Sequence, residues 1–200
     1  FFFKQKTAYE IAIRVIAALE AHPNRHRLAL HFRHAVTDFV QEGGRVVGVT
    51  GRVEPEGPAF EARGEAVVVA AGGICGGDLS KLRAHWYRPW GEPPRKLLNG
   101  AHRYADGLLH DRAAALGAHL THLDLQWHYA AGVHHPARRR PDDGLSLVPP
   151  RSALWCNAHG RRIGPPPLVG YTDTRWLVEQ ILRQPGQYSW LVLNYRIAVR

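Results

Sequence analysis

The run Gly72-Gly73-Ile74-Cys75-Gly76-Gly77-Asp78 sets four glycines within six positions, directly after the continuously apolar stretch Ala66–Ala71. Glycine has no Cβ, so the main chain here can approach a bulky anion such as a pyrophosphate, and free amides at a helix start favour negative charge. Asp78 is placed to cap the helix expected from Leu79 to Trp86. Strand, glycine turn and helix in that order make a phosphate cradle. The same residues serve equally as a tight structural turn, because the spacing is not GxGxxG. A second pair, Asp106-Gly107, opens a helix that carries Leu109, Ala113, Leu116 and Leu120 on one face. Asp106 is therefore a helix cap, a ligand contact, or both.

Other chemistry-bearing residues lack the company that their chemistry requires. Asp106 and His110 are four apart on a helix and His134-His135 are adjacent, but no HExxH or comparable set accompanies them, so no metal is expected. Cys75 and Cys156 are the only cysteines, too few for a disulfide framework and without CxxC spacing. Two free thiols fit a reducing compartment, and a cytoplasmic location is expected. The formal charge of +9 invites a nucleic-acid reading, yet the arginines are scattered. Their one run, Arg138-Arg139-Arg140, is followed at once by Pro141-Asp142-Asp143 and reads as a solvated loop. A basic binding module remains the alternative reading; no nucleic-acid partner is expected. No apolar run approaches the roughly 20 residues of a membrane span.

Those residues need elements to hold them. Apolar spacing from Ile13 to Leu19 predicts a short helix ending near His22-Pro23-Asn24. Alternation from Leu28 through Phe39 predicts a strand, Glu42-Gly43-Gly44 a turn, and Arg45–Val49 the returning arm. After the turn Glu54–Pro58, Phe60–Arg63 pairs back, making a three-stranded β-meander. Ala66–Ala71, apolar throughout, predicts a strand buried on both faces in a parallel sheet. Pro89–Gly100 reads as a loop and Leu120–Leu125 as a strand. His134–Pro150 is basic and proline-bearing, which marks a domain boundary. Beyond it, Ser152–Cys156 and Arg161–Ile163 form strands about a turn, Trp176–Leu182 is helical and Tyr188–Asn194 extended. Trp155, Trp176 and Trp190 are expected in the core, since large aromatics dominate packing area.

The segments VVVAAGGICGG, ADGLLHDRAAALGAHL, WHYAAG, SALWCNAHGRRIGPPP and SWLVLN, taken in order, resemble the FAD-dependent oxidoreductases of the fumarate reductase and 3-ketosteroid dehydrogenase superfamily, in particular bacterial FAD-binding dehydrogenases. The resemblance covers residues from about 25 to 200. It implies an α/β chain: a partial Rossmann-like FAD-binding domain with the β-meander, residues 12–133, then the start of an α+β substrate-capping domain, residues 134–200. It implies FAD as cofactor, held at Ala71, Gly72, Gly73, Gly76, Gly77, Asp106 and Gly107. Relatives carry a hydroxyl residue just before the first glycine pair, where this chain has Ala70 and Ala71. Dicarboxylate reductases of the superfamily place a substrate histidine where Tyr129 stands here, with His128 one residue earlier. On a strand that is the opposite face. The departure points to a small, apolar, ketone-like or steroid-like substrate, with Tyr129 as a pocket donor and His128 in a supporting place. The electron acceptor and the catalytic acid and base stay unassigned.

The GxGxxG unit with which relatives begin is not in the sequence, and neither is any methionine, so a fragment is expected. Lys4–Ile11 resembles the translation of a sequencing-library adapter, and Phe1–Phe3 a run of T bases. Residues 1–11 are accordingly expected to be non-native; the other reading is a genuine helix start.

Overall fold

The computed structural model describes residues 3–147, 153–169 and 173–198. The chain forms two compact units that divide between Val68 and Val69. The boundary expected at 134 falls inside the second of them. Ser152 and the segment 148–150, both assigned in the sequence reading, lie outside the described residues.

The first unit holds helix α1 (Phe3–Glu20), a 3₁₀ turn at Arg25–Arg27, and strands β1 (His34–Glu42), β2 (Arg45–Val53) and β3 (Ala59–Arg63). The strands form an antiparallel sheet in the order β1-β2-β3, the expected meander. Glu42 pairs with Arg45 across a two-residue turn in which Gly43 and Gly44 both have positive φ, 55° and 77°. Only glycine adopts two such residues in succession without strain, and this turn twists in the sense that the flanking strands require. One expectation fails: β1 begins at His34, not Leu28. The partner strand ends at Val53, opposite His34, and beyond that pair Arg33 O accepts from Glu54 N at 2.8 Å without continuing the ladder. Arg33 at φ 62° breaks the extended run, and Phe32 is left 78% exposed.

The apolar run Ala66–Ala71 is not a strand, and Val68 is 90% exposed. Burial on both faces needs a strand on each side and a covering layer, and every sheet among the described residues is antiparallel and formed from other segments. Composition supplied the propensity; tertiary partners did not follow.

The second unit contains α2 (Ser80–Ala84), a 3₁₀ turn at Arg88–Trp90, α3 (Leu108–Ala115), β4 (Gly132–His134), β5 (Gly144–Ser146), β6 (Leu154–Cys156), α4 (Thr174–Leu182), a 3₁₀ turn at Pro185–Gln187, β7 (Trp190–Val192) and α5 (Tyr195–Ala198). Strand β4 pairs antiparallel with β5, and β6 with β7. The strand expected at Leu120–Leu125 is irregular, because His122 takes φ 57° and its carbonyl closes a turn onto Leu125 N. The core is Ala153, Trp155, Ile163, Leu168, Leu177 and Ile181. Leu177 and Ile181 lie four apart on α4, whose start is capped by Asp173 Oδ1 accepting from Arg175 N at 2.9 Å and Trp176 N at 3.4 Å. Of the three tryptophans expected inside, Trp155 is 2% exposed and Trp176 packs on the core, but Trp190 is 57% exposed. Along β7 the side chains alternate, so Leu191 faces the core and Trp190 and Val192 face away.

Trp155→Ala is expected to destabilise the chain by about 3–5 kcal/mol, and Trp190→Ala by no more than about 0.5 kcal/mol. Urea unfolding followed by circular dichroism measures both; comparable losses would contradict the packing described.

Candidate functional site

The glycine run folds as an irregular loop whose carbonyls are gathered by two side chains. Asn99, 5% exposed, donates from Nδ2 to Cys75 O at 2.7 Å and to Gly77 O at 3.1 Å. Arg140 donates from Nη1 to Gly76 O and to Gly77 O, both at 2.9 Å. The backbone of Asn99 is itself tied to the β4–β5 connection, through Asn99 N to Asp142 O at 2.7 Å and Gly144 N to Asn99 O at 2.8 Å. Asp143 seats the arginine: its Oδ1 accepts from Arg140 Nε at 3.0 Å, and its Oδ2 accepts from the amides of Arg139 and Arg140 at 2.8 and 2.9 Å. Those bonds to the ionised form hold the Asp143 carboxyl at about 2, with the two backbone amides contributing most.

The other side of the loop rests on residues 102–107. Gly76 N donates to Ala105 O at 2.7 Å, and a Cβ on Gly76 would sit 1.9 Å from His102 O. Cβ atoms built on Gly72 and Gly77 would lie 3.0 Å from Ala105 Cβ and 3.3 Å from Asp106 Cβ. Thus Gly72, Gly76, Gly77, Asp106 and Gly107, singled out from sequence, stand together. Gly107, at φ 77°, is the N-cap residue of α3, and Asp106 Oδ1 accepts from Leu108 N at 2.9 Å. Asp78 Oδ1 similarly accepts from Ser80 N at 2.8 Å, and the Ser80 hydroxyl first, then its amide, lower the Asp78 pKa. Ala71 and Gly73 are exposed, and nothing lies within 4 Å of a Cβ built on Gly73. One face of the loop is therefore closed by protein and another is open.

A cavity of 360 Å³ lies in the same unit, walled by Trp90, Gln126, Trp127, His128, Thr174 and Arg175 among others. Gln126 links it to the loop, since Cys75 Sγ lies 3.5 Å from Gln126 Oε1 while Gln126 Nε2 donates to Leu123 O at 2.9 Å. The Arg175 guanidinium stacks 4.1 Å over the Tyr87 ring and 5.4 Å from that of Trp90. His128 sits edge-on to Trp86 and Trp90, and its buried Nε2 has no hydrogen-bond partner. Burial, and secondarily the Arg175 charge, push the His128 pKa down and so favour the neutral ring. The two candidate substrate residues thus part company: His128 is in the cavity wall, whereas Tyr129 is 59% exposed and stacks on Trp127. Among the described residues, no three His, Cys, Asp or Glu side chains cluster as for a metal. No helix among them is long and apolar enough to cross a membrane.

The family model for the FAD binding domain matches residues 4–193. The chain belongs to the FAD-binding domain family. A KsdD-like steroid dehydrogenase of Mycolicibacterium smegmatis is 35% identical over 187 residues, 87% of this chain and 34% of that relative. A protein of the same description from Mycobacterium tuberculosis is 36% identical over 178 residues, 82% of this chain and 31% of that relative. The chain therefore spans about a third of the length of the curated relatives it matches. These relationships place it in the superfamily of fumarate reductases and 3-ketosteroid dehydrogenases, with FAD as the cofactor. The loop suits part of such a nucleotide, because it offers an open, Cβ-free face at Gly73 with its carbonyls at 75–77 turned into protein.

Asn99, Arg140, Asp143 and Arg175 were not singled out from sequence. The signal for two of them was an Arg and an Asp three apart in a loop, a pattern shared with any solvated turn. Because the Asp143 pKa is depressed from 3.8 to about 2, its contribution to stability is complete above about pH 4 and is lost as pH falls toward 2. Acid unfolding of Asp143→Asn should show a correspondingly shallower dependence over that range, measured by circular dichroism.

Proposed function

We propose that the chain is the part of a flavoprotein dehydrogenase or reductase that holds FAD along the loop 71–77 and residues 106–107, and admits a ketone-like or steroid-like substrate to the adjoining cavity. In this reading residues 12–133 belong to the FAD-binding part and the chain from 134 onward to the substrate cap. The observation that carries the proposal is the contact of Cys75 with Gln126, which joins a glycine loop suited to a nucleotide to a cavity walled by aromatic rings. The steroid dehydrogenase description of the mycobacterial relatives supports the substrate class.

FAD, when bound, supplies the hydride acceptor or donor. The protein's own residues do the rest. Trp90 and Trp127 offer aromatic surface on which a flat hydrocarbon could pack. Arg175, already stacked and so losing little further freedom, presents a fixed cation to a substrate carbonyl oxygen. The desolvated setting of His128 discourages a second positive charge beside Arg175. Tyr129, on the far side of the strand-like segment, would reach a substrate only if the ligand extended beyond the cavity.

Titration of the chain with FAD, followed by quenching of flavin fluorescence, should give saturable binding, and a steroid ketone should then perturb the bound-flavin absorbance. Arg175→Ala is expected to weaken that ketone response by about tenfold or more with FAD affinity unchanged. A chain that leaves flavin fluorescence untouched would sink the proposal.

A further inference from the structure

The peptide groups of the loop carry a directional consequence. In a trans peptide the N–H points opposite to the C=O of the preceding residue. Gly76 O is turned toward Arg140, and Gly77 O toward both Arg140 and Asn99. The amides of Gly77 and Asp78 must therefore point away from Arg140. Among the described residues no acceptor takes either one, whereas Gly76 N is engaged by Ala105 O. Two successive free amides on one side of a loop offer two donors to one anionic oxygen. The Asp78 carboxylate does not fill that position by itself, since its Oδ1 is tied to Ser80 N. The short helix α2 contributes nothing to the argument; the donors belong to the loop.

We infer that Arg140, seated by Asp143, is a positioning residue for the cofactor loop: by binding the carbonyls of Gly76 and Gly77 from behind, it aims the amides of Gly77 and Asp78 at a phosphate oxygen of the flavin nucleotide. The inference rests on the FAD reading above. It assigns a role to the arginine-aspartate pair that the sequence presents only as a charged loop. A single Nη1 bridging two consecutive carbonyls fixes both peptide planes at once, which no single backbone contact in the loop does. Asp143 supplies the rigidity, because it holds the guanidinium at Nε and the arginine's own backbone amide together. Arg140 points its charge into the loop and does not touch the phosphate, so it acts through the backbone.

The test compares FAD, ADP and adenosine by isothermal titration on the full chain, its Arg140→Ala and Arg140→Lys variants, and Asp143→Asn, with thermal unfolding recorded for each. Arg140→Ala is expected to raise the Kd of FAD and ADP by about tenfold or more, and that of adenosine, which has no phosphate, by less than about twofold. Arg140→Lys keeps the charge without the planar fork and should fall between the two. Equal losses for ADP and adenosine would reduce Arg140 to a structural brace and overturn the inference. So would unchanged FAD affinity in a folded Arg140→Ala. Should Arg140→Ala fail to fold, Asp143→Asn decides: a loss for ADP larger than for adenosine supports the positioning role, and no difference overturns it. Failure of the unsubstituted chain to bind FAD sinks the FAD reading itself, an outcome distinct from normal binding with an indifferent Arg140.

Discussion

A glycine-rich loop has no side chains with which to hold its shape, so its peptide groups must be fixed from outside. Here the constraint is met by the carbonyls of residues 75–77, which Asn99 and Arg140 gather on one side, while Ala105 takes the amide of Gly76 on another. A buried peptide group without a partner costs free energy comparable to a lost hydrogen bond. The loop therefore has little freedom to turn these carbonyls elsewhere while Asn99 and Arg140 stay in place. Asn99 and Asp143 come from segments linked to one another by backbone bonds, including a parallel bridge between them. The shape of the loop is in this way transmitted from the β4–β5 hairpin.

The same loop meets the cavity through Cys75 and Gln126, and the electrostatics of that cavity follow from what surrounds its two basic side chains. The Arg175 guanidinium stacks on aromatic faces, which replace part of its hydration. His128 loses its charge because it is enclosed by indole rings with no acceptor at Nε2. A permanent cation and a desolvated imidazole thus stand in one wall.

Several elements were legible before any coordinates. The meander was, because Gly43-Gly44 and the β-branched alternation around it are local instructions. So were the Asp173-proximal helix and the strand about Trp155, where spacing and flanking turns agree. The glycine loop and the Asp106-Gly107 turn are recognisable in the sequence, and they pack against each other. Errors arose where propensity had to be completed by a distant partner. Leu28–Phe32 and Ala66–Ala71 have strand-like composition but no strand to pair with, and Leu30, Phe32, Val68 and Val69 remain exposed. Leu120–Leu125 is interrupted by a left-handed His122. Trp190 was placed inside by size alone, whereas the period of β7 turns it out.

By itself, the sequence determined what is local or compositional: the two-glycine hairpin, the Asp106-Gly107 turn that opens α3, the bare backbone of residues 72–77, and a motif order that specifies the family. Tertiary structure alone decided which side chains complete the site. Arg140, Asp143 and Asn99 lie between 22 and 67 positions from the glycines they brace, and no periodicity carries information over that distance. It also decided that His128 rather than Tyr129 enters the cavity wall and that the histidine is neutral. Hydrogen bonds and desolvation depend on which groups come within a few ångströms of one another, and that is a property of the packed chain.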